Sequence, residues 1–106
     1  MMKPLIYGYM RVTDDMEDHE VSRLEQSLST FAAVEGYCLA AIFYEYENGS
    51  QTAFNELLHE LRRVEAHHVV VPSLEQLADS QIVQTLMVDR AELETDAAIH
   101  ETADAC

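Results

Sequence analysis

Apolar and aromatic residues run from Leu5 to Met10 and stop at Arg11, which predicts a strand entering a core directly. Asp14 to Glu20 then packs five acids into seven residues. Carboxylates complement the positive end of a helix dipole, so this is read as a helix start. Val21, Leu24, Leu28, Phe31 and Ala32 recur at helical spacing, and Gly36 predicts the stop near Glu35. Cys38 to Tyr46 predicts a second strand, and Asn48-Gly49 within "ENGSQT" a turn. Phe54, Leu57, Leu58, Leu61 and Val64 line one face of a second helix, with Ser50 or Thr52 as its expected cap. His67 and His68 lead into a short strand, Val69 to Val71, closed by Pro72.

From about Asp79 a third helix carries Ile82, Val83, Leu86, Met87 and Leu93 on one side. After Arg90 the composition turns polar, and residues 98–106 are expected to form a frayed tail beyond a domain of residues 1–97. Strand and helix alternate throughout. That order predicts an α/β fold of three layers, a mostly parallel sheet of three to four strands with flanking helices and right-handed crossovers.

Composition narrows the class. A chain of 106 residues, 48% hydrophobic, with three glycines and two prolines, is a single folded domain. Six basic against twenty acidic residues give a net charge of −14, a field that repels polyanions and favours cationic partners. Direct DNA binding by the chain alone is therefore not expected, because that affinity comes from cations neutralising phosphates. Cys38 and Cys106 form neither a disulfide framework nor a ligand-spaced pair, and no apolar run reaches membrane-spanning length, so a cytoplasmic protein is expected.

The other candidate constellations have plainer readings. His67 and His68 point to opposite faces of a strand and lack a third ligand. His59-Glu60 lacks the second histidine of a zinc-protease helix. The acidic run lacks the glycine and alternating oxygen ligands of a calcium loop. Arg62-Arg63 complements the end of a helix dipole. No metal and no cofactor are expected. Tyr44 and Tyr46 alternate with Phe43 and Glu45 as in a strand packed on two faces, a pattern that also suits a protein interface.

More specific chemistry enters at "YGYMRVTDD". An aromatic strand end, one residue, then arginine, valine and a hydroxyl residue resembles the opening motif of the resolvase/invertase serine recombinases, in which a serine nucleophile follows tyrosine-any-arginine-valine. Tyr9, Arg11 and Val12 match, and Thr13 stands in the serine position. "LEQSLSTFAAVEGY" resembles the family's first helix, "AIFYEYENGS" its second strand and loop, "AFNELLHELRR" its second helix. "HHVVVPSLEQLADS" resembles its third strand and signature loop.

The resemblance implies a resolvase-like fold and a reaction in which the hydroxyl attacks a DNA phosphodiester while arginines neutralise the phosphoryl oxygens. It also exposes departures. Arg11 is the one arginine of that cluster retained. Gln51 stands where an arginine precedes the second helix, and Gln76 and Asp79 replace the two arginines of the signature loop, with Glu75 in place of its aspartate. Each lost donor of this kind is worth about 3–4 kcal/mol. The family's catalytic domain also continues into another strand, a dimerising helix and a DNA-binding region, and this chain is expected to end within or soon after its third helix.

The resulting expectation is a stand-alone serine-recombinase-like domain, catalytically inactive, acting as a protein-interaction or regulatory module. Its vestigial site comprises Thr13, Arg11, Glu75 and Gln76, and its partner is a protein, in a homodimer or a heteromer. Two competing readings are DNA strand cleavage through Thr13 and Arg11, with a partner supplying DNA binding, and a small-anion site lined by Arg11, Thr13 and Ser50 at the carboxyl ends of the strands.

Overall fold

A computed structural model describes residues 3–46 and 50–102. Four strands form one sheet: β1 (Leu5–Arg11), β2 (Cys38–Glu45), β3 (His68–Val71) and β4 (Ala98–Glu101). They lie in the order β2-β1-β3-β4, and every neighbouring pair is parallel. Helices α1 (Asp18–Glu35), α2 (Thr52–Val64) and α3 (Gln81–Thr95) make the crossovers. A single 3₁₀ turn, Leu74–Gln76, follows β3.

Alternation along β1 divides the core between the two faces of the sheet. Tyr7 and Tyr9 join Val69 and Val71 against Phe54, Leu57, Leu58 and Leu61 of α2 and Met87 and Ala91 of α3. Ile6, Met10 and Val70 point the other way, onto Leu28 and Ala32 of α1. Two helices thus cover one face and one helix the other. Gly8 lets α1 approach closely, since a Cβ there would stand 3.1 Å from Leu28 and 3.0 Å from Ile42. Gly36 ends α1 at φ +83°, where its side-chain-free backbone is unstrained and the Tyr37 N–H returns to the Ala32 carbonyl.

Three boundaries differ from the sequence reading. α1 begins at Asp18 and not at Asp14, because Thr13 to Met16 closes a separate turn through Met16 N–H and the Thr13 carbonyl. α2 is not capped by Ser50 or Thr52. Ser50 Oγ accepts from the Thr52 N–H, and the Glu45 carboxylate, arriving from β2, accepts from Ala53 and Phe54. The tail expected at residues 98–106 begins as strand: Ala98–Glu101 pairs with His68–Val71 and finishes the sheet, so the chain passes beyond its third helix into a fourth strand. The Asn48-Gly49 turn and Cys106 lie outside the described residues. Among the described residues, no helix is long and apolar enough to cross a membrane.

Candidate functional site

All four strands are parallel, so the loops that leave their carboxyl ends converge on one edge of the sheet, where α/β folds gather binding groups. Arg11 is the last residue of β1 and is half-buried there. Its guanidinium donates from Nε and Nη2 to the Leu77 carbonyl, at 3.1 and 2.6 Å, and from Nη2 to the Ser50 carbonyl at 3.0 Å. Its backbone N–H donates to Gln76 Oε1 at 3.0 Å. One side chain therefore ties β1 to the loop before α2 and to the loop after β3, using the planar fork that suits arginine to several acceptors at once.

Glu45 supplies the second fixed group. The last residue of β2, it is buried, and its carboxylate accepts from the Tyr9 hydroxyl at 3.0 Å, from Ala53 N–H at 3.1 Å and from Phe54 N–H at 3.3 Å. A carboxylate at a helix N-terminus satisfies donors that lack intrahelical partners and complements the dipole. Burial pushes the Tyr9 phenol well above its ordinary pKa; the Arg11 charge pulls the other way and Glu45 adds to the rise. Tyr9 is accordingly a neutral hydrogen-bond donor.

Thr13 lies on the exposed side of this edge. Its hydroxyl donates to Asp15 Oδ1 at 2.5 Å, and this hydrogen bond is the main reason the Asp15 carboxyl sits below its ordinary pKa. Asp14, Asp15, Glu17 and Asp18 around it are all exposed. The local field is negative, and it opposes the approach of a phosphodiester.

The loop after β3 is held at several points. Leu74 N–H donates to Glu101 Oε1 at 2.6 Å, Leu77 is fully buried, and the Ala78 carbonyl accepts from Gln84 at 2.7 Å. Within it Gln76 turns inward to Arg11, whereas Glu75 is exposed and faces a shallow depression shared with Asp79, Gln81 and Gln84. The structure thus brings Arg11, Gln76 and Ser50 together. Thr13 and Glu75 point to solvent beside them. Sequence reasoning missed Glu45, an acid at the end of a strand just ahead of a helix. It also missed Glu101, assigned to the tail.

Arg90 of α3 was not singled out either. It lies over the Phe54 ring at 5.7 Å, donates to Asn55 at 2.9 Å and pairs with Glu94 at 2.9 Å, which fixes α3 to α2 near the start of that helix. His68 and His100 stand on neighbouring strands with Nδ1 and Nε2 3.3 Å apart, and the Tyr37 ring lies tilted against both. His67 faces elsewhere, its Nδ1 donating to the carbonyls of Thr95 and Asp96. Among the described residues, no group of three or more metal-ligating side chains converges.

Comparison with known proteins agrees with this geometry. The model of the resolvase N-terminal domain matches residues 6–104. The catalytic domain of ISC1926 TnpA, an IS607-like serine recombinase, is similar with a TM-score of 0.75 and 15% identity over 92% of this chain and 67% of that one. The N-terminal catalytic domain of TP901-1 integrase is similar with a TM-score of 0.76 and 15% identity, over 94% of this chain and 78% of that one. No curated protein matches the sequence. The fold is that of a serine-recombinase catalytic domain, and the three-layer parallel architecture expected from the sequence is the one observed.

Proposed function

Because the chain belongs to the resolvase N-terminal domain family, we propose that it is a member in which the scaffold persists without the strand-cleaving chemistry, serving as a protein-interaction or regulatory module in the cytoplasm. The observation that carries this reading is the position of Arg11. Its guanidinium points inward to the Leu77 and Ser50 carbonyls, as a clamp between loops, and the positions where the family places further arginines hold Gln51, Gln76 and Asp79.

A phosphoryl group at this edge would meet one inward-facing guanidinium and a belt of exposed acids. The missing donors correspond to a rate loss of many orders of magnitude, at about 3–4 kcal/mol each. Thr13 adds a further handicap. Its hydroxyl is branched and donates to Asp15, an exposed carboxylate that brings negative charge to the place a phosphodiester would occupy.

Incubation of the full chain with supercoiled plasmid tests the reading. No nicking and no covalent protein–DNA adduct are expected, for the wild type or for Thr13→Ala. An adduct that forms with the wild type and vanishes in Thr13→Ala would establish cleavage through Thr13 and Arg11 instead.

A further inference from the structure

The third helix is apolar on two sides, and only one of them is used. Met87 and Ala91 are buried against the sheet and α2, with Val83 and Val88 packed beside them. Ile82, Leu86 and Leu93 face outward, 74%, 57% and 86% exposed. With Asp89 these three recur at alternating four- and three-residue intervals, the spacing of a seam that receives another helix. Exposed leucines and isoleucines are unremarkable singly; aligned on one helix face they mark a contact surface.

Charge distinguishes between occupants. Asp89 interrupts the apolar seam and Glu92 flanks it, both exposed, and among the described residues neither makes an ion pair. The neighbouring Arg90 is turned to Glu94, Asn55 and the Phe54 ring. A second copy of this chain is a poor fit. Antiparallel pairing that sets Ile82 against Leu93 also brings Asp89 of each copy under Leu86 of the other, and parallel pairing sets the two Asp89 residues face to face. Either arrangement crowds uncompensated carboxylates between two molecules that each carry −14.

We infer that the outer face of α3 is a docking surface for a cationic amphipathic helix of another protein, whose apolar residues cover Ile82, Leu86 and Leu93 and whose lysine or arginine pairs with Asp89. The inference deepens the interaction-module reading by naming the class of partner. It stands or falls separately from plasmid cleavage, because it uses none of the side chains of the vestigial site, Arg11, Thr13, Glu75 and Gln76. α3 spans 15 residues, about 22 Å, so roughly two heptads of the partner are engaged. Such a contact is small, and micromolar affinity is expected of it.

The test uses the full chain and fluorescein-labelled helical peptides of about three heptads, with leucine at the seam, lysine at the flanks and arginine opposite Asp89. Anisotropy should report micromolar binding, lost about tenfold or more in Leu86→Asp and again in Asp89→Lys. A peptide with glutamate in place of its arginine should recover affinity for Asp89→Lys alone. Both side chains exchanged are exposed, and circular dichroism of each variant checks that it is folded. Absence of binding, equal binding of a scrambled peptide of the same composition, or indifference to Leu86→Asp would overturn the proposal. So would sedimentation showing a dimer of the chain that Leu86→Asp dissociates, since the second copy would then own the face.

Discussion

Glu45 shows how much a single side chain holds at the functional edge. It is the last residue of β2, yet its carboxylate serves two N–H groups of α2 and the hydroxyl of β1's Tyr9. Removing it leaves three buried donors without an acceptor, and hydrogen bonds to a charged partner are worth about 1.5–3 kcal/mol. Glu45→Ala should therefore lower unfolding free energy by about 2–4 kcal/mol in urea titration, whereas Tyr9→Phe, which removes one donor and leaves the carboxylate bonded to α2, should lose about 1 kcal/mol. Equal losses for the two variants would mean that capping of α2 contributes little. At this scale the sequence was half legible. Arg11 and Gln76 stood out because the motif placed them, and they meet in the structure. Glu45 did not, because a lone acid between two tyrosines gives no indication of which face of the strand is covered. Only the later helix, brought over it by the crossover, makes that position a cap.

The elements follow the sequence where periodicity is long and fail to where pairing is borrowed. α1 and α2 were visible in repeating apolar positions, and their inner faces are the ones expected. β4 was invisible. Ala98–Glu101 has four residues and one β-branched side chain, so its conformation comes from the exposed edge of β3 and not from its own propensity. The pairing sets His68 beside His100, with Tyr37 and Phe31 against the pair. Burial pushes the His68 pKa below the ordinary imidazole value, and the charges of His100 and His67 push the same way. As pH falls through about 6.5, the unfolded chain takes up a proton that the folded chain still refuses, so stability declines until pH passes below the folded value. Between about pH 8 and pH 5 the melting temperature of the wild type should fall more steeply than that of His68→Gln. Parallel curves for the two would remove His68 as the source.

For the whole molecule, the dominant quantity is charge. Four of the six basic side chains already have partners within the molecule: Arg62 and Arg90 share Glu94, Arg63 holds Glu60, and Arg11 clamps the loops. Most of the twenty acids therefore repel one another across a surface without nearby cations, and that repulsion opposes the compact state. It was fully legible in the sequence, since net charge needs no fold. What the fold adds is that the ion pairs are exposed or half-exposed, so each contributes little, while the excess of acids acts over the whole surface. Salt screens both, but the repulsive sum is the larger. Raising sodium chloride from about 20 mM to about 500 mM shortens the screening length from about 20 Å to about 4 Å. The melting temperature should then rise by about 4 °C or more, the shift corresponding to about 1 kcal/mol in a domain of this size. Guanidinium chloride should show the same effect as an apparent resistance at low denaturant that urea does not show. A melting temperature that stays level or falls with salt would mean that the few cation pairs, and not the excess acids, set the electrostatic balance.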